Sequence, residues 1–150
     1  MKHPILPVIL LIAAVALPSQ VQAKAPAGRF MVDAAGATVY DNATKLTWQR
    51  DVPSTYYQWG YAKYYCQNLL LAGGGWRLPW VSELLGIVDR QQVTPTIDPT
   101  AFPNTPATHF WSASPVQGYA YYAWFVDFYN GSTTSDQYVS NYSPGVRCVR

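Results

Sequence analysis

The chain has 150 residues and a formal net charge of +2, from ten Lys and Arg against eight Asp and Glu. A balance so near neutral, with only 12% charged residues, excludes the dense basic field of a nucleic-acid binder and leaves a local patch as the route to any anionic partner. The 49% apolar content suffices for one domain with a real core.

Lys2, the apolar run Ile5 to Leu17 and a polar stretch ending Val21-Gln22-Ala23 have the layout of a secretory signal peptide over residues 1–23. The apolar run is shorter than the roughly 20 residues a membrane-crossing helix needs, so no membrane span is expected after cleavage. No cysteine stands directly after it, which argues against a lipid anchor. Residues 24–28 read as a short leader, and residues 29–150 as one domain.

Short strands are expected at Arg29 to Val32, Thr38 to Tyr40 and Leu46 to Trp48. Thr55 to Leu71 is a helix candidate, with Trp59, Ala62, Cys66, Leu69 and Leu70 on one face. Gly73 is placed to stop it, and Pro79 to open a second helix reaching Val88 with Val81, Leu84, Leu85 and Val88 as its stripe. Four prolines between Gln91 and Pro106 exclude regular structure there. Phe110 to Ser114, Tyr122 to Tyr129, Ser132 to Val139 and Val146 to Arg150 read as strands, with Asn130-Gly131 as a two-residue hairpin turn. Helices early and a meander late indicate an α+β fold, two helices packed on a twisted antiparallel sheet with long loops.

Cys66 and Cys148 are an even pair, and in an oxidising compartment an even pair reads as a disulfide. Such a closure is worth roughly 4–5 kcal/mol on the loop-entropy account. One histidine beyond the signal segment, His109, and two distant cysteines do not make a zinc site, so no metal is expected.

The segments TVYDNATKLTWQR, AKYYCQNLLLAGGGWRLPWVSELLGIVD, AFPNT, FWSAS, YAWFVDFYNG and VRCVR, in that order, resemble the Lcl C-terminal domain family. That family is named after a bacterial collagen-like adhesin that binds sulfated glycans. The resemblance runs from Arg29 to Arg150 and implies a C-type-lectin-like fold, in which a disulfide joins the first helix to the last strand. Cys66 and Cys148 match that placement. Trp80 stands where the family carries the threonine of a capping box, so Glu83 loses its hydroxyl partner and the helix start is expected to be weaker or capped differently. Lys45 stands where a turn glycine is usual. The namesake's collagen stalk has no counterpart in this sequence, so trimerisation is not carried over.

Within this frame Gly73-Gly74-Gly75 followed by Trp76, Arg77, Leu78 and Pro79 reads as a structural corner. Trp76 and Leu78 fill it, and the Arg77 fork pairs with an internal carboxylate or carbonyls. Trp111 and Trp124 are read as framework residues.

No enzyme is expected. His109 has no nucleophile at catalytic spacing, because Ser112 and Ser114 lie on the same strand and no Gly-x-Ser-x-Gly elbow exists. A Cys66–Cys148 bond would leave no thiol for the redox chemistry of the formylglycine-generating relatives of this fold. The Glu-Pro-Asn, Gln-Pro-Asp and Trp-Asn-Asp signatures of calcium-dependent lectins are missing, and Asp127 and Asp136 alone fall short of the six to eight oxygens calcium takes. No cofactor is expected.

The richest stretch for recognition is Gln117 to Ser143. Tyr119, Tyr121, Tyr129, Asn130, Ser132, Asp136, Tyr138, Asn141 and Tyr142 form a Tyr/Ser/Asn mixture of the kind antibody loops use. Tyrosine faces also stack on sugar C–H surfaces while the phenols bond to hydroxyls. Two readings stay open. One is a secreted, non-catalytic adhesion module for an extracellular polysaccharide, a sulfated one requiring a cluster of Lys45, Arg50, Lys63, Arg147 or Arg150. The other is recognition of a surface protein through the tyrosine-rich face, as in diversified C-type-lectin-like variable proteins.

Overall fold

The computed structural model describes residues 26–137 and 144–150. The signal segment expected over residues 1–23 lies outside them, as do Tyr138, Asn141 and Tyr142.

Two antiparallel three-stranded sheets stand where one sheet was expected. The first is a meander of β1 (Phe30–Val32), β2 (Thr38–Asp41) and β3 (Thr47–Gln49). Short polar side chains make its turns: the Asp33 carboxylate accepts from the Ala37 and Thr38 amides at 2.7 and 2.8 Å. Asp41 does the same one turn later, accepting from the Ala43 amide, and it also takes Arg29 in a two-pronged pair at 2.8 and 3.1 Å. Burial raises the Asp41 carboxyl, but the hydrogen bonds and charge of Arg29, with the Ala43 and Thr44 donors, hold it below its usual range.

The second sheet is β4 (His109–Pro115), β5 (Tyr122–Asp127) and β6 (Ser132–Gln137), with β5 in the middle. The alternation read along β5 holds, and both faces are covered. Phe110, Val126 and Phe128 pack with Val39, Trp48, Leu84, Ile87 and Phe102, whereas Trp111, Ala123 and Phe125 pack with Ala62, Cys66, Trp76 and Cys148. Trp124 is half-buried. The β5–β6 turn spans four residues, Phe128 to Gly131, because Asp127 pairs with Ser132. Burying Phe128 edge-on against Phe110, 5.2 Å between centroids, starts the turn early, and the Asp127 carbonyl accepts the Gly131 amide at 2.7 Å to close it.

The helices are shorter than their patterns. In place of 55–71, α1 runs Trp59–Gln67, and in place of 79–88, α2 runs Val81–Gly86. The Tyr57 carbonyl accepts the Trp111 indole N–H at 2.8 Å, so the chain there is tied to β4 before α1 begins. The Asn68 side chain donates back to the Tyr64 carbonyl at 2.8 Å where α1 ends. Leu70, expected on the apolar face, is 85% exposed because the chain has left the helix before reaching it. The Gly86 carbonyl that ends α2 accepts from Arg29 at 2.7 Å. Pro79 precedes α2, and its carbonyl accepts the Ala113 amide at 2.6 Å.

Val146 to Arg150 forms isolated bridges in place of a closing strand. Val149 bridges both Trp48 and Arg77, and Gly145 bridges Phe110, so the terminal segment stitches the first sheet, the glycine corner and the second sheet together. Cys148 in that segment is bonded to Cys66 of α1, as expected. Among the described residues no helix is long and apolar enough to cross a membrane.

Candidate functional site

The tyrosine-rich residues of the second sheet fall into two groups. Tyr119 and Tyr121 stand exposed on the β4–β5 turn, Tyr119 edge-on to Tyr122 at 6.0 Å, and the Tyr122 phenol accepts from Gln137 at 3.0 Å. Asp136, opposite Ala123, lies at the same end. Tyr129, Asn130 and Ser132 sit at the other end, separated by the length of β5, roughly 20 Å at strand rise. The Asn130 side chain is committed to the Ser132 amide at 2.9 Å. Tyr119, Tyr121 and Asp136 therefore share one end, while Tyr129, Asn130 and Ser132 belong to another.

Most of the basic residues proposed for a sulfated partner are engaged within the framework. Arg147 is fully buried, donating to the Gln49 and Arg50 carbonyls and the Thr105 hydroxyl at 2.7 Å each, with its guanidinium 4.7 Å from the Phe102 ring centroid. Burial pushes it down to about 9, against the pull of Asp51, which leaves it charged at neutral pH. Arg150 is bound to the Ala72 and Gly74 carbonyls at 2.8 Å above the Trp76 ring, and Lys63 lies 3.5 Å over Trp59. Arg50 donates to the Gly36 carbonyl at 3.2 Å, and Lys45 sits in the β2–β3 turn. A VRCVR run carries no signal that one arginine turns inward. The alternation that buries Val146 and Cys148 with Arg147 between them breaks down in an irregular segment.

His109 faces Asp127 across β4–β5, Nε2 to Oδ2 at 3.7 Å, with its ring edge-on to Phe125 at 4.5 Å. The Ser112 hydroxyl donates to the Trp124 carbonyl at 2.7 Å, and the Ser114 hydroxyl accepts the Val81 amide at 3.0 Å. Both serines thus have framework roles. Among the described residues no three His, Cys, Asp or Glu side chains converge as a metal site would require.

The glycine corner is built as its sequence implies. Gly73, Gly74 and Gly75 all have positive φ, and Trp76 and Leu78 are buried below them. Arg77 forks onto Glu83, two bonds of 2.7 Å. Glu83 also accepts the Trp80 amide at 2.7 Å, which is the carboxylate half of a capping box. A hydroxyl from outside the helix also serves its start, Ser114 on β4 accepting the amide of Val81, the first helical residue, a contribution invisible in the local sequence. A register irregularity in β4 between Trp111 and Pro115 accompanies these contacts of Ala113 and Ser114 with the start of α2.

A cleft on α1 went unread in the sequence. Tyr57, Tyr61, Tyr64, Tyr65, Asn68, Leu69 and Leu70 line an opening of about 350 Å³. Tyr61 and Tyr64 are 67% and 65% exposed, while Tyr57 and Tyr65 stack at 5.2 Å to form the floor. Tyr61 and Tyr64, three apart on α1, face outward, while Tyr57, before the helix, and Tyr65 pack against the cluster that holds Ala62 and Cys66. The signal available in the sequence was the density of tyrosines between Tyr56 and Tyr65.

A family profile described as Lcl C-terminal domain matches residues 37–150. The chain belongs to the Lcl C-terminal domain family. The matched span of this Lcl C-terminal domain includes both cysteines, the glycine corner, the α1 cleft and the second sheet, and leaves out β1 and Arg29. No curated protein matches the chain.

Proposed function

We propose that this Lcl C-terminal domain is a secreted, non-catalytic adhesion module that recognises an extracellular polysaccharide on a C-type-lectin-like frame. The observation that carries the reading is the family match, since the namesake of the family is a glycan-binding adhesin. The Cys66–Cys148 bond supports an oxidising location outside the cytoplasm, as does the signal layout of residues 1–23. Exposed tyrosines on a stapled framework supply the contact chemistry such a module needs. The burial of Arg147 and the engagement of Arg150 weaken the case for a sulfated ligand.

The test is an array of neutral, uronic and sulfated oligosaccharides probed with the purified protein at low and physiological salt. Saturable binding to at least one class supports the reading, and a blank array at both salts removes it. The exposure of Tyr119 and Tyr121 favours a second reading, recognition of a surface protein through the β4–β5 turn. That reading expects a Tyr119→Ala/Tyr121→Ala variant to lose capture of an envelope or host-surface protein that the parent retains.

A further inference from the structure

We infer that the α1 cleft is the sugar-binding site and that it takes an uncharged pyranose, an inference that rests on the polysaccharide reading above. Four tyrosine rings, one carboxamide and two leucines line it, and none of these side chains carries a charge at neutral pH. A sulfate or uronate would enter with no cation from the lining to meet it. An uncharged sugar ring brings an apolar C–H face for the exposed Tyr61 and Tyr64 rings and equatorial hydroxyls for phenols and amide.

The polar atoms are arranged for that task. The Tyr65 phenol oxygen accepts from Gln49 at 2.9 Å, which leaves its O–H as a donor. Asn68 spends its amide nitrogen on the Tyr64 carbonyl, which leaves its Oδ1 as an acceptor. One donor and one acceptor therefore belong to residues that line the aromatic cleft. The floor is also held in place before any ligand arrives. Tyr65 is stacked on Tyr57, whose carbonyl anchors the Trp111 indole, and Gln49 in turn accepts the Cys148 amide at 3.1 Å. A preorganised floor spares the ordering cost that weakens binding by mobile side chains.

The size suits a small ligand. About 350 Å³ lies at the small-molecule end of ligand pockets.

Titration with cellohexaose, chitohexaose, maltohexaose and a heparin hexasaccharide, followed by calorimetry and amide NMR, tests the inference. The parent protein should bind a neutral probe with little salt dependence and shift amides of α1. Tyr61→Ala/Tyr64→Ala should weaken that binding by about tenfold or more, as removal of anchoring aromatics does elsewhere. Tyr64→Phe should retain it, because the face survives the loss of the hydroxyl. Both positions are exposed, so an unchanged melting temperature certifies folding. Neutral binding that persists in the double variant, or that Tyr119→Ala/Tyr121→Ala abolishes instead, overturns the cleft and leaves the polysaccharide reading standing. Binding of heparin alone, lost with salt, does the same. Failure of every oligosaccharide overturns the cleft inference, and a blank array of neutral, uronic and sulfated sugars then removes the polysaccharide reading as well.

Discussion

The side-chain amide of Gln49 on β3 donates to the phenol of Tyr65 on α1 at 2.9 Å, and its oxygen accepts the buried Cys148 amide at 3.1 Å. One carboxamide thus joins the first sheet, the helix that carries the cleft and the terminal segment, beside the disulfide that links the latter two covalently.

Gln49→Ala should therefore cost more than an ordinary surface truncation. It leaves the fully buried Cys148 N–H without a side-chain acceptor, and unsatisfied buried donors cost about 1–3 kcal/mol. Guanidinium denaturation should show a lowered midpoint with an unchanged slope. A variant as stable as the parent would show that the Cys148 amide finds another acceptor.

The disulfide closes a loop of 82 positions, for which the chain-entropy account gives about 4.5 kcal/mol at 25 °C. Cys66→Ala/Cys148→Ala should lose stability of that order, and reductant should destabilise the parent but leave the double variant unmoved. Both sulfurs are fully buried, so reduction of the folded protein should be slow and should accelerate with denaturant. Identical denaturation curves with and without reductant would contradict the staple.

Much of this frame was legible because its signals are local. Strands β2 and β3 follow apolar alternation, α2 follows the Val81-Leu84-Leu85 stripe, and Gly73 to Gly75 announce a corner. What escaped depends on partners distant in sequence. The Ser114 hydroxyl that caps α2 is 33 residues away, and the carbonyls that turn Arg147 inward are nearly 100 residues away. The split of the tyrosine face escaped for a related reason. Tyr121 and Tyr129 are close in sequence, but the strand between them carries them to opposite ends, and strand direction separates residues faster than composition reveals. The cleft escaped because Tyr57 and Tyr65 pack toward the core while Tyr61 and Tyr64 face out, so the four share no single helical stripe.

Acid should unfold the protein through two carboxylates. Asp41 and Glu83 are both raised by burial, but the Arg29 and Arg77 forks with backbone donors hold each below its usual value, 3.8 and 4.5. The folded chain therefore binds these protons more weakly than the unfolded chain. Their stabilisation is complete above about pH 5 and is lost progressively as pH falls through and below 4.5. Glu83→Gln should flatten part of that slope while lowering stability at pH 7, because the Arg77 fork loses its charged partner. Both groups are partly screened by solvent, which limits the effect at pH 7 to about 1 kcal/mol for Glu83. Melting temperatures measured from pH 3 to 8 read it directly, and parallel profiles for parent and variant would exclude Glu83 as a contributor.

Lys45 and Gly74 offer opposite tests of backbone strain. Lys45 is held at φ 63 in the β2–β3 turn, a left-handed conformation that costs an L-residue roughly 1–2 kcal/mol relative to glycine. Its amide is fixed by the Asp41 carbonyl at 2.8 Å, so the turn cannot relax without breaking the hairpin. Lys45→Gly should relieve that strain, offset by the greater freedom glycine gains on unfolding, and raise stability by about 0.5–1 kcal/mol. Gly74 has φ 80 and ψ −155, a region open essentially to glycine alone. Its carbonyl and that of Ala72 hold the Arg150 guanidinium, so a shift there would also loosen the terminal segment over Trp76. Gly74→Ala should lower stability by about 1–3 kcal/mol. Paired denaturation curves that move in opposite directions confirm both assignments, whereas a stabilised Gly74→Ala would mean the corner adopts a different turn.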